Sequence, residues 1–111
     1  MAIDNTNVVD GMGIDKERKA LCLLLIDHLA WSGNNTLSEY DHLMLLQKKI
    51  NAYIRYLETK QYEERYPEEK IETVIIEIHF VHDITENCRK FLDTAQKQVG
   101  QHGIKIEAHI E

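Results

Sequence analysis

The chain has 111 residues, of which 43% are hydrophobic and 29% charged. This suits one globular domain and excludes a disordered or collagen-like chain. Thirteen Lys and Arg against nineteen Asp and Glu give a formal net charge of -6, which argues against unaided nucleic-acid binding, because phosphates demand an excess of cationic side chains.

The longest apolar run, Ala20 to Ile26, is far too short to span a bilayer. Met1-Ala2-Ile3-Asp4-Asn5 shows no basic segment followed by an apolar stretch, so no signal peptide is expected. Cys22 and Cys88 belong to no C-x-x-C pair. The reading is a cytoplasmic protein with two reduced thiols in its core; a disulfide between them is not required.

In chain order, Asn7 to Ile14 reads as a short, glycine-interrupted edge strand, and Asp15 to Arg18 as a polar turn. Lys19 to Asp27 is apolar on both of its alternating faces, Leu21, Leu23, Leu25 and Cys22, Leu24, Ile26. That pattern predicts a strand in the middle of a sheet. Trp31 to Asn35 is a loop by composition. Ser38 then caps a helix, with Asp41 three residues on and Leu37 placed to staple onto an early turn. Leu43, Leu46, Ile50, Ile54 and Leu57, with Tyr53 beside them, repeat at helical spacing and predict a helix from Glu39 to about Lys60. Tyr62 to Tyr66 can extend it by a turn before Pro67 stops it.

Ile71 to Val81 alternates, with Val74, Ile76, Ile78 and Phe80 on one face and Thr73, Ile75, Glu77 and His79 on the other. Asp83 or Thr85 caps a second helix, whose inward stripe is Cys88, Phe91, Leu92, Ala95 and Val99. Gly100 or Gly103 supplies the left-handed residue that ends it. The last strand turns Ile104, Ile106, Ala108 and Ile110 inward and Lys105, Glu107 and His109 outward. Helical connections favour parallel pairing and right-handed crossovers. The expected fold is therefore an α+β two-layer sandwich, β-β-α-β-α-β over residues 1–111, with both helices on one face of a four-stranded sheet.

Six histidines invite a search for a metal site. His79 and His82, followed by Asp83, are the best local cluster, but three residues apart on a strand end they point to opposite faces. His28 beside Asp27 and His42 beside Asp41 diverge in the same way. No H-E-x-x-H and no zinc-spaced cysteine–histidine set is present, so surface or strand-end histidines are the simpler reading, with no metal and no cofactor. Glu77, His79, Glu107 and His109 fall on the outer sheet face. If their strands are neighbours in register they make a polar patch, either an acid–base pair or a solvated face with cross-strand pairs. No G-x-S-x-G, G-x-G-x-x-G or Walker sequence occurs. Both cysteines lie in apolar surroundings that oppose thiolate formation.

Glu63, Glu64, Glu68, Glu69 and Glu72 cluster past the first helix, with Tyr62 and Tyr66 among them. Carboxylates interleaved with tyrosines suit a surface that receives a basic protein, though a solvated helix end has the same composition. An outer sheet face left open around Ile75 is a secondary interaction surface, coverable by a second copy of the chain.

The opening Ile3-Asp4-Asn5-Thr6-Asn7-Val8-Val9-Asp10, the run Leu25-Ile26-Asp27-His28-Leu29-Ala30-Trp31, and Leu45 to Ile54 resemble a family of small bacterial proteins of unknown function. The likeness covers most of the chain and brings no catalytic residues with it. By analogy of size, charge and family type, it implies an immunity protein of contact-dependent growth inhibition or another polymorphic toxin system. The expected function is thus non-catalytic: binding and neutralising a cognate toxin domain, plausibly a basic nuclease, by covering its active site with an acidic surface. Direct contact with nucleic acid or membrane is not expected, and the free protein is a monomer or homodimer. The alternatives are a small metal- or His/Glu-dependent enzyme and a homo-oligomeric structural module.

Overall fold

A computed structural model of the chain describes residues 8–34 and 36–111. The leader reading of Met1 to Asn5, the strand start at Asn7 and the loop residue Asn35 lie outside the described residues. The elements are β1 (Gly11–Asp15), β2 (Ala20–Asp27), α1 (Glu39–Thr59), α2 (Tyr62–Arg65), β3 (Thr73–Phe80), α3 (Glu86–Gly100) and β4 (Ile104–Ile110). The sheet order is β1-β2-β3-β4. β1 is antiparallel to β2, and β2, β3 and β4 are parallel. Both crossovers step the same way along the sheet, and such crossovers are right-handed, so α1 and α3 share one face. This is the expected two-layer α+β arrangement. No helix among the described residues is long and apolar enough to cross a membrane.

Alternation decides what each layer receives. Leu21, Leu23 and Leu25 of β2, Ile76, Ile78 and Phe80 of β3, and Ile104 of β4 form a buried core with Leu46, Ile50, Tyr53 and Leu57 of α1 and Cys88, Leu92 and Val99 of α3. Cys22 has the opposite parity to these β2 residues and is only partly buried. Only Cys88 is therefore a core thiol, and the sheet separates the two cysteines, both of which are free. On the stripe of α1, Leu43 and Ile54 are half-buried, while His42 and Lys49 are buried.

Several expected boundaries shift for identifiable reasons. β1 begins at Gly11, so Val8 to Asp10, expected within the strand, precede it. Just before it, the Asp10 carboxylate accepts from the Ile26 backbone N–H at 2.8 Å, doing by side chain what a longer ladder would do by backbone. Ser38 Oγ accepts from Asp41 N–H at 3.1 Å, as the capping pattern predicts. Leu37 is 42% exposed and does not act as the expected buried staple. The cap of α3 is Thr85, whose Oγ1 accepts from Cys88 N–H. Gly100 is the last residue of α3, and the left-handed residue is Gly103, with φ 74°.

α1 does not run on through Tyr62. Lys60 takes φ 60° and ψ 22°, and its N–H bonds to the Leu57 carbonyl, so the chain turns before the single-turn helix α2. A side chain in this left-handed region costs roughly 1–2 kcal/mol. Glycine would relieve that cost while losing roughly 0.5–1 kcal/mol to extra freedom of the unfolded chain. Lys60→Gly should accordingly raise stability by about 0.5–1 kcal/mol in urea unfolding, whereas the same substitution at exposed Lys48, inside α1, should lower it.

Candidate functional site

The acidic segment is anchored from beneath. Tyr62 and Tyr66 are half-buried and pack against the core, and the Tyr66 hydroxyl lies 3.5 Å from the Met12 carbonyl. These tyrosines therefore serve the fold as well as the surface, and only part of each ring is available to a partner. Glu63, Glu64, Glu68 and Glu69 are exposed. Among the described residues none of the four forms an ion pair. Glu72 is pulled aside: its carboxylate lies 3.7 Å from Lys19 Nζ and its N–H donates to the Lys19 carbonyl. Tyr62, Glu63, Tyr66, Pro67, Glu69 and Ile71 line one shallow concavity of about 340 Å³. Glu64 and Glu68 stand outside it.

The second surface is the sheet face opposite the helices. Glu77 pairs with Glu107 and His79 with His109 in the β3–β4 register. The four residues thus form one patch, as the alternation predicts. The imidazoles stack with centroids 4.8 Å apart. His82, by contrast, is exposed beyond the end of β3 and takes no part.

Arg18, read from the sequence as part of a turn, is central to this patch. Asp15 Oδ1 accepts from the N–H groups of Glu17 and Arg18, which folds the β1–β2 turn tightly. The Arg18 guanidinium then donates to Asp15 at 2.7 Å and to Glu107 at 2.7 Å, and lies 4.0 Å from Glu77. Burial pushes the Glu107 carboxyl up, but hydrogen bonds from Arg18 and Lys105 outweigh it and hold it below the ordinary glutamate value. No local sequence signal could have found this contact, which joins residues 89 apart.

Two further polar groups are buried in the helix layer. His42 Nε2 and Asp27 Oδ2 are 2.6 Å apart, with both side chains wholly buried. Asp27 Oδ1 accepts from Leu29 N–H, and Trp31 stacks on the imidazole at 3.6 Å and 14°. The expectation of surface histidines fails here. Asp27 continues the inward parity of Leu25, and His42 stands one turn before Leu46, so both patterns carried the signal. The other group joins Lys49, also wholly buried, to Asp10 at 2.7 Å. The Tyr53 hydroxyl accepts from Asp10 N–H and donates to the Leu24 carbonyl.

The Asp27–His42 pair is closed to an external substrate, whereas Asp10 and Tyr53 line a concavity of about 560 Å³; the Cys88 thiol is as deeply enclosed as the Asp27–His42 pair. Burial first, then the charges of Asp27 and Glu39, push this thiol up to about 12, so it stays protonated. The Cys22 thiol is also pushed up, chiefly by burial and then by Glu77. The Asp27–His42 pair is read best as structural. Removing one partner strands the other without water, so Asp27→Leu or His42→Leu alone should each cost roughly 3–5 kcal/mol. The double variant should cost clearly less than the sum in a double-mutant cycle by urea unfolding.

No curated protein and no solved structure matches the chain. The family of unknown function DUF6572 matches residues 1–111, the whole chain, and the protein belongs to that family.

Proposed function

We propose that this chain is a non-catalytic binding protein of the immunity type, which meets a basic toxin domain through the acidic surface around α2. The observation that carries the reading is the concavity lined by Tyr62, Glu63, Tyr66 and Glu69. Among the described residues its two carboxylates form no ion pair, and its aromatic edges are fixed by packing. Such a hollow suits an incoming Lys or Arg, whose charge meets Glu63 and Glu69 while its stem lies against the rings. Glu64 and Glu68, outside the hollow, add to the field that steers the encounter.

Neutralisation follows from occupancy. A nuclease site must be basic to hold phosphates, and an acidic surface seated in it excludes the substrate. A toxin released in competition between bacteria is the setting that the family resemblance suggests. The proposed contacts are Glu63, Glu64, Glu68 and Glu69 with the exposed parts of Tyr62 and Tyr66, and Glu72 is a lesser contributor because Lys19 already attends it.

A second reading, acid–base chemistry on the open sheet face, draws on the in-register pairing of His79 with His109 and Glu77 with Glu107. In that case turnover, not stoichiometric blocking, would be the readout.

The test is association with a basic toxin domain whose gene adjoins the gene for this chain, the neighbour that the proposal requires, measured by stopped-flow fluorescence at low and high salt. Reversing Glu63, Glu64, Glu68 and Glu69 to Lys should slow association at least about tenfold at low salt and flatten its salt dependence. Equal association rates for parent and quadruple variant would show that the partner docks elsewhere.

A further inference from the structure

The open sheet face holds a set of donors that the partner-binding reading does not use. Glu77, Glu107 and His109 each offer one ligand atom, and these atoms lie within 4.8 Å of one another. Strand register places them, because Glu77 faces Glu107 and His79 faces His109 across the β3–β4 pair. The His79 Nε2 is out of contact with solvent and has no hydrogen-bond partner among the described residues. It lies 3.6 Å from Glu77 Oε2, and His109 Nε2 lies 3.8 Å from Glu107 Oε1. Each imidazole thus presents a ring nitrogen to a carboxylate of its own strand.

We propose that Glu77, Glu107 and His109, with His79 beside them, form a binding site for a divalent transition-metal ion of the Zn2+ type. Two carboxylates match the charge of such an ion. Imidazole nitrogen favours zinc, copper or nickel over magnesium and calcium, which take oxygen donors. Four-coordinate zinc holds its donors at about 2.0–2.2 Å and therefore about 3.4 Å from each other. The donors must close by at most about 1.4 Å from their present spacing. The glutamates have room to do so, since their side chains are 27% and 20% exposed.

Arg18 is the resident cation that the metal replaces. Its Nη1 lies 2.7 Å from Glu107 and its Nη2 4.0 Å from Glu77, and Lys105 Nζ lies 3.4 Å from Glu107. A divalent ion supplies the counter-charge that Arg18 and Lys105 provide together, with shorter, directed bonds. Arg18 keeps a second anchor in Asp15, 2.7 Å from its Nε, so its guanidinium can leave Glu107 without losing every partner. The β1–β2 turn is thereby an internal competitor that sets how tightly the site holds metal.

Zn2+ titrated into the untagged full chain, followed by calorimetry and by histidine ring NMR, tests the proposal. Saturable binding of one ion per chain is expected, with the ring signals of His79 and His109 shifting and those of His28, His82 and His102 unchanged. His109→Gln or Glu107→Gln should weaken binding at least about tenfold, and Arg18→Gln should tighten it. Absence of saturable binding would overturn the site. So would shifts centred on other histidines, or unchanged affinity in His109→Gln. Should a variant fail to fold, the ring shifts of the unaltered chain still decide.

Discussion

Parallel pairing of β2, β3 and β4 constrains everything else in this molecule. A parallel connection must cross over the sheet, and two right-handed crossovers stepping the same way put both helices on one side. Apolar burial is then concentrated on that side, where Leu23, Ile76 and Ile78 are fully enclosed. Among the described residues no helix covers the other side; the expected opening around Ile75 is not found, since Ile75 is 1% exposed, and charge manages the rest of that face. Glu77 and Glu107 stand next to each other in the register, an arrangement that repels unless a cation intervenes. Arg18 is that cation, delivered by a tight turn whose Asp15 side chain bonds two of its backbone N–H groups.

The helix layer solves a different problem. α1 carries two polar side chains into the core, and each meets a carboxylate from beside the sheet: His42 meets Asp27, and Lys49 meets Asp10. Buried pairs of this kind contribute little net stability, because desolvation offsets their attraction. Their consequence is positional. Asp27 ends β2 and Asp10 precedes β1, so the two contacts fix the axial placement of a 21-residue helix that apolar packing alone would let slide. Apolar contacts are non-directional, whereas a short side-chain hydrogen bond has a narrow range of geometry.

The two candidate surfaces follow from these features. The acidic hollow exists because Lys60 breaks the helix and Tyr62 and Tyr66 hold the next turn against the core, leaving their neighbouring carboxylates outward. The His/Glu patch exists because strand parity repeats without interruption on β3 and β4, and no helix covers that parity. One surface is suited to a macromolecular cation and the other to a small one. They lie at different places in the fold, so neither reading depends on the other.

Local sequence signals determined the strands, the long helices and the two-layer α+β arrangement, because alternation and helical spacing act over a few residues and the core obeys them except at the end of β4, where Ala108 and Ile110, expected inward, are exposed. Ser38 was legible as a cap for the same reason, whereas the sequence left Asp83 or Thr85 and Gly100 or Gly103 open, and the structure selects Thr85 and Gly103. The outward placement of Glu77, His79, Glu107 and His109 was equally a matter of parity. Tertiary structure alone decided that Cys22 leaves the core and which carboxylates His42 and Lys49 meet within it, since a polar residue on an inward stripe gives no sign of the distant carboxylate that will accept it. It alone decided that Arg18 reaches Glu107 and that Tyr62 and Tyr66 turn partly inward. Those outcomes depend on which segments meet in space, and contacts between residues 89 apart leave no periodic trace along the chain.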